Sequence, residues 1–253
     1  MIDLHCHLLP NVDDGPESLE ESIKQGQLAK KNNISHIVCT PHHLDGNYNN
    51  PKEQILDSFF NLKAEFERNA IDVSLILSQE VRLTPDLILA LEKDELVFID
   101  SASRYIQIEF PSHHIPRFSQ QIITDLVLRG HIPIIVHPER NSGFQKNPNA
   151  LIEFLEIGAL AEVTVPSYLG YFGKKIQQLA VRYVHHGLVQ LMASDTHGYK
   201  RQIVLGSGYS LMKKKEGIEM VQQFKKNARC VIEGEELTEL NYSKLKKRNW
   251  QFY

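Results

Sequence analysis

Seven times along this chain a short apolar run with strand character recurs, separated from the next by a helix-like stretch, and few folds accommodate that rhythm. The strand runs are Met1 to His7, Ile34 to Cys39, Val73 to Leu77, Tyr105 to Glu109, Ile132 to His137, Ala161 to Val165 and Leu188 to Ser194. Helical stretches lie between them at Glu17 to Lys31, Pro51 to Arg68, Pro85 to Lys93, Arg117 to Arg129, Pro148 to Ile157 and Lys174 to His186. Ser18 with Glu21 three positions on is an N-terminal capping pattern, and Gly130 and Gly187 stand where helices should stop. Gly206 to Arg229 reads as helix, with no eighth strand identified. Such alternation gives parallel strands joined by right-handed crossovers. At 253 residues, closure into a barrel is favoured over an open sheet, because barrels of this kind run to about 250 residues as one unit. The expectation is α/β, a distorted (β/α)7 TIM-like barrel. No composition break or low-complexity run divides the chain, so residues 1–253 are expected to form a single domain, with a basic and aromatic tail at about 242–253.

In a barrel the carboxyl ends of the strands share one face, and that face carries the chemistry. His5 and His7 end the first strand, His42 follows the second, Glu80 the third, Glu109 the fourth, His137 the fifth, and Asp195 and His197 the seventh. Two apart in a strand, His5 and His7 leave from one side while Cys6 leaves from the other. Taken singly, each of these residues has a plainer role as a helix cap or solvated loop residue. Together they would be strongly unfavourable to bury at one mouth without cations to neutralise and coordinate them. Mixed imidazole and carboxylate donors without thiolate suit Mn2+, Fe2+ or Zn2+, in numbers sufficient for more than one ion. Glu80 is the candidate bridging carboxylate of a pair of ions about 3.5 to 4 Å apart, an arrangement that orients and activates a nucleophilic water.

Composition removes several rival classes. A formal net charge of −3 and a pI near 6.5 provide no basic field for nucleic acid. Cys6, Cys39 and Cys230 are widely spaced, odd in number and not arranged as CxxC, which points to a reducing compartment. No apolar run is long enough for a transmembrane segment and no secretion signal is recognised, so a cytoplasmic protein is expected.

Seven segments in order carry a resemblance: His5-Cys-His7, Val12-Asp-Asp-Gly-Pro-Glu-Ser18, Thr40-Pro-His-His43, Gln79-Glu-Val-Arg82, Ile108-Glu-Phe-Pro111, His137-Pro-Glu-Arg140 and Ser194-Asp-Thr-His197. Together they resemble the polymerase-and-histidinol-phosphatase (PHP) superfamily. Within it they are most similar to the manganese-dependent protein tyrosine phosphatases of Gram-positive bacteria that accompany capsule and exopolysaccharide tyrosine kinases. The resemblance runs from Met1 to about Arg201 and implies a PHP-fold barrel with a trinuclear site. It places His5, His7, Glu80 and Asp195 on one ion, Glu80, Glu109 and His137 on a second, and Asp14, His42 and His197 on a third. Mn2+ is the ion implied, with Fe2+ or Zn2+ as alternatives. Asp14 otherwise reads as part of a turn before a helix. Histidinol phosphatases and polymerase-linked members usually carry His near Asp14 and at Glu109, so these two carboxylates favour the tyrosine phosphatase branch.

Arg140 and Arg201 are the candidate catalytic arginines, each a planar donor pair for a phosphoryl group. A salt bridge to Glu139 or a surface role is the alternative for Arg140, and Arg201 stands one residue closer to Asp195 than in the family pattern. A phenolate leaving group has a pKa near 10 and needs little help from an acid; His43, His113 and His114 are the candidates if a donor is required. No cysteine has an Arg at the Cx5R spacing of cysteine-dependent phosphatases, so metal chemistry would carry the reaction. The implied substrate is a phosphotyrosyl protein, a membrane-associated bacterial tyrosine kinase, met at the inner face of the membrane; the tail reads first as a solvated end, with a contact to an anionic membrane surface or to the kinase as its alternative. Three other readings stand beside it: a histidinol-phosphatase-like small-molecule phosphomonoesterase, a nuclease, and a catalytically silent metal-binding adaptor.

Overall fold

The computed structural model describes residues 1–201, 203–237 and 241–246. Its strands are β1 (Ile2–His7), β2 (His36–Cys39), β3 (His42–His43), β4 (Ser74–Leu77), β5 (Glu80–Arg82), β6 (Tyr105–Glu109), β7 (Ile132–Val136), β8 (Leu160–Thr164), β9 (Leu191–Ala193) and β10 (Thr196–His197). Every pairing between them is parallel. One set runs β10-β1-β2-β4 and the other β3-β5-β6-β7-β8-β9. β3, β5 and β10 are the continuations of β2, β4 and β9 beyond a break, so the two sets join into one closed ring of seven strands, the expected distorted (β/α)7 barrel.

The breaks have local causes. Pro41 has no N–H to extend the ladder after β2. Between β4 and β5 the Gln79 side chain turns outward, accepting from Val97 N–H at 2.7 Å and donating to the Asn50 carbonyl at 2.6 Å. Between β9 and β10 Asp195 adopts a left-handed backbone, φ 52°, while its N–H donates to the His5 carbonyl at 2.9 Å. At or just beyond each break stands a candidate ligand: His42, Glu80 and Asp195.

Around the ring lie α1 (Leu19–Lys31), α2 (Lys52–Arg68), α3 (Leu87–Glu92), α4 (Ser119–Leu128), α5 (Ser142–Lys146), α6 (Ala150–Ile157), α7 (Val165–Leu169), α8 (Lys174–His185), α9 (Leu205–Glu216) and α10 (Ile218–Glu233). Ser18 caps α1 by accepting from Glu21 N–H at 3.2 Å. The Glu21 carboxylate accepts from Glu17 N–H and also from Tyr199 N–H, tying the start of α1 to the turn after β10. α1 meets α2 where Gly26 faces Phe66, and a Cβ there would fall 2.3 Å from that ring. The helical stretch expected over Gly206 to Arg229 is helical and divided in two, because Gly217 takes φ 94° and stops α9 before α10 begins. Val165, expected in a strand, opens α7, since Pro166 suits the first turn of a helix and cannot donate within a sheet.

Strands buried on both faces read as near-continuous apolar runs. Leu4, Val38, Ile134, Val136, Leu160 and Leu191 fill the interior together with Ala228 and Val231 of α10, which packs against the barrel. The tail is docked over its described part: Leu245 is buried, its N–H donates to Asn149 Oδ1 at 2.8 Å, and Ser243 N–H donates to the His186 carbonyl. Positions 247–253, where the rest of the tail falls, lie outside the described residues. Among the described residues no helix is long and apolar enough to cross a membrane.

Candidate metal centre

The floor of the mouth is set by β1. His5 Nε2 and His7 Nε2 stand 3.2 Å apart. Both face Glu80 Oε2, at 3.3 and 3.2 Å, and Asp195 Oδ1, at 3.6 Å each. Four donor atoms from three strand ends thus converge with nothing apolar between them. The other Glu80 oxygen, Oε1, lies 2.7 Å from His137 Nε2, and Oε2 is also 3.1 Å from His42 Nδ1. Glu109 approaches His42 at 3.8 Å and His137 at 4.0 Å. On the outer side Asp14 Oδ1 is 3.2 Å from His197 Nε2 and 3.6 Å from His42 Nε2. Three donor groups, each within 4.8 Å, result: His5, His7 and Glu80; His42, Glu80 and Glu109; and His7, Asp14, His42 and His197. All nine candidate ligands meet at one mouth. The grouping is more shared than the resemblance implied, with His42 beside Glu80 and Glu109, and His7 beside the Asp14 group.

Asp13, Glu162 and Arg82 also belong to the site and were not expected from the sequence. Asp13 Oδ2 accepts from His7 Nδ1 at 2.7 Å, and Glu162 Oε1 accepts from His5 Nδ1 at 2.9 Å. A carboxylate on Nδ1 places the proton there and leaves Nε2 with its lone pair inward, as metal-binding imidazoles require. Arg82, two residues beyond Glu80 in β5, reaches Glu109 Oε2 at 2.9 Å. The available signals were a lone carboxylate inside the apolar run Leu160–Thr164 and the i, i+2 placement of Arg82. Asp13→Asn or Glu162→Gln is expected to weaken metal affinity about 10- to 100-fold, read by titration against a competing chromophoric chelator.

His137 and Asp195 end β7 and β9 with φ 36° and 52°, a backbone region costly for residues other than glycine. Hydrogen bonds hold them there, His137 N–H to the Glu162 carbonyl at 2.8 Å and Asp195 N–H to the His5 carbonyl at 2.9 Å.

The charges are as crowded as the atoms. Burial would lower the His7 pKa, but the Asp13 and Glu80 carboxylates raise it to about 9. Burial lowers His137 to about 3, with the Arg140 charge adding to the effect, and burial with His7 lowers His197 to about 4. Glu109 is pushed up to about 8 by burial and by the charge of Glu80. Against burial, Arg140 and Arg201 hold Asp195 far below the usual carboxylate range.

Above this floor lies a cavity of about 310 Å³ whose walls include Asp14, His42, Glu109, His137, Arg140 and Arg201. Arg140 Nη2 pairs with Asp195 Oδ2 at 2.9 Å and Arg201 Nη2 with Asp195 Oδ1 at 3.0 Å. Glu139 is turned away, its Oε1 accepting from Thr164 N–H and Oγ1, so the alternative Glu139 bridge is not formed. His43 is buried with Nδ1 accepting from Asn50 N–H, and neither it nor His113 or His114 lines the cavity. The donor set fits divalent cations: it is buried, made of imidazole nitrogen and carboxylate oxygen, and His42 Nδ1 has no hydrogen bond despite facing Glu80.

Residues 1–233 match the family described as capsular polysaccharide synthesis, CpsB/CapC. CapC of Staphylococcus aureus is 35% identical over 252 residues, covering 99% of this chain and 98% of that protein. The tyrosine-protein phosphatase YwqE of Bacillus subtilis (strain 168) is 34% identical over 233 residues, 92% of this chain and 91% of its own length. A chain from the crystal structures of YwqE of B. subtilis and CpsB of Streptococcus pneumoniae, described as unique metal-dependent tyrosine phosphatases, superposes with a TM-score of 0.92 at 32% identity. The match covers 98% of this chain and 100% of that one. With a barrel of the same architecture and a match running through every strand that ends in a candidate ligand, the chain belongs to the CpsB/CapC family of capsular polysaccharide synthesis.

Proposed function

We propose that this chain is a metal-dependent protein-tyrosine phosphatase that hydrolyses phosphotyrosyl residues of a membrane-associated bacterial tyrosine kinase and its targets in capsule or exopolysaccharide synthesis. The observation that carries the reading is the meeting of nine imidazole and carboxylate side chains beneath two arginines that line one cavity. The likeness to YwqE, itself a tyrosine-protein phosphatase, supports the same assignment.

His5, His7, Glu80 and Asp195, then His42, Glu80, Glu109 and His137, then Asp14, His42 and His197 would hold up to three divalent ions, Mn2+ first among the candidates. Such ions, when bound, neutralise phosphoryl charge and lower the pKa of an attacking water. The residues of the chain supply the rest. A phosphomonoester carries close to two negative charges at neutral pH, and Arg140 and Arg201 present permanently charged N–H donors to it from the cavity wall. Asp195 anchors both guanidiniums, so they are oriented before substrate arrives. Water attacks phosphorus, the bond to the phenolic oxygen breaks, and tyrosine and inorganic phosphate leave. None of the candidate acids lines the cavity, in keeping with a phenolate that departs without one. The chain is taken to act as one domain, from the cytoplasmic side of the membrane.

The test compares a phosphotyrosyl peptide, histidinol phosphate and single-stranded DNA as substrates of chelated protein and of protein resupplied with Mn2+. Restored turnover of the peptide is expected, falling on the order of 100-fold in Arg140→Ala. Turnover of histidinol phosphate alone would replace the protein substrate by a small molecule.

A further inference from the structure

The turn between α7 and α8 carries an exposed aromatic pair, Tyr171 and Phe172, whose placement the ligand set does not explain. Gly170 and Gly173 flank it with φ 96° and 92°, which lets the chain reverse sharply and push both rings outward. The turn is fixed by hydrogen bonds: Tyr171 N–H donates to the Pro166 carbonyl at 2.9 Å, Gly173 N–H to the Gly170 carbonyl at 3.0 Å, and Gln177 Nε2 to the Leu169 carbonyl at 3.1 Å. Phe172 therefore stands on a rigid support. Its ring lies 5.5 Å from the guanidinium carbon of Arg140 and 6.0 Å from that of Arg201, with 37% of the residue still exposed.

An apolar ring has reason to sit open to water beside two arginines of a phosphate cavity if it meets another apolar group there. We propose that Phe172 is a specificity-determining residue that receives the phenyl ring of the phosphotyrosyl side chain while Arg140 and Arg201 hold its phosphoryl group. This rests on the phosphatase reading above and adds to it the basis for choosing an aromatic ester. Phe172 stands outside the cavity lining, against the two arginines that belong to it, so a substrate ring leaving the phosphoryl group past these guanidiniums would meet it at the rim, and stacked or edge-to-face aromatic pairs form at centroid separations of about 4.5 to 7 Å. A phosphoserine side chain offers no such surface.

The test uses full-length protein loaded with Mn2+, turnover of a phosphotyrosyl peptide as the readout, and two non-hydrolysable competitors, phenylphosphonate and methylphosphonate. These competitors differ in the ring and not in a leaving group. Wild-type protein should bind phenylphosphonate roughly tenfold more tightly than methylphosphonate. In Phe172→Ala that preference should fall to about twofold or less, with the methylphosphonate constant changed by less than about threefold, since Asp195 still anchors both arginines. Phe172→Tyr should keep the preference and Phe172→Leu, which retains apolar bulk, should lose most of it. An unchanged ratio in Phe172→Ala, or equal weakening of both competitors, overturns the assignment of Phe172 while leaving the phosphatase reading intact. Wild-type protein that does not turn over the peptide removes the phosphatase reading, and this proposal with it.

Discussion

Glu80→Gln is expected to lower kcat/KM for a phosphotyrosyl peptide on the order of a thousandfold, more than the loss of any carboxylate that only orients a ligand. Both Glu80 oxygens are engaged: Oε2 faces His5, His7 and His42, and Oε1 faces His137. Gln has the same shape and no charge, and whichever way its amide turns, an N–H replaces one of the two carboxylate oxygens that would face a cation. Burial would raise the Glu80 pKa, but His5 and His42 hold it well below the usual range, so the charge is present under all ordinary conditions. The variant should fold, because no backbone group depends on that side chain, and should purify with a reduced metal complement. Atomic emission for metal content beside peptide turnover checks both halves. Full metal content with activity within tenfold of wild type would sink the bridging role.

Chelation should abolish turnover and reverse the way stability depends on pH. In the metal-free site His7 titrates near 9 against an ordinary value of 6.5, and Glu109 near 8 against 4.5. Between the ordinary and the folded values the folded state holds protons that the unfolded state has lost. Stability from these groups is complete below the unfolded pKa and declines as pH rises through the folded one. The Tm of chelated protein should therefore fall from about pH 7 to pH 9. Metal ligands must be deprotonated, so ion uptake near neutral pH displaces these protons and apparent affinity grows over the same interval. The Tm gap between loaded and chelated protein should widen with pH, as differential scanning calorimetry at three pH values would record. A gap that narrows would contradict the assignment of His7 and Glu109 as ligands.

The barrel could be read from the chain because its strands are buried on both sides and each appears as a block of Ile, Val and Leu. What eluded that reading is where strands break. Thr40-Pro41 and Ser78-Gln79 look like strand ends, yet short pairings resume beyond them at His42–His43 and Glu80–Arg82. The division of the last helical stretch escaped for another reason: one glycine, Gly217, lies between two amphipathic runs that each continue the helical pattern. Eight of the nine candidate ligands were legible from position, at or just after a strand's carboxyl end, whereas Asp14 lies in the loop before α1 and was suggested by the family resemblance alone. Asp13 and Glu162 were not legible, since their purpose appears only when His7 and His5 arrive beside them, the latter from 157 residues away. The same holds for Arg140, whose partner proved to be Asp195 rather than its neighbour in sequence.

The barrel closes through two residue pairs, Cys6 with Thr196 and His7 with His197. Ring closure and completion of the donor set are thus one event, drawing on opposite reaches of the polypeptide. During synthesis the early strands can pair as they emerge, but the donor groups that take Asp195 and His197 cannot be completed until residue 197 has left the ribosome.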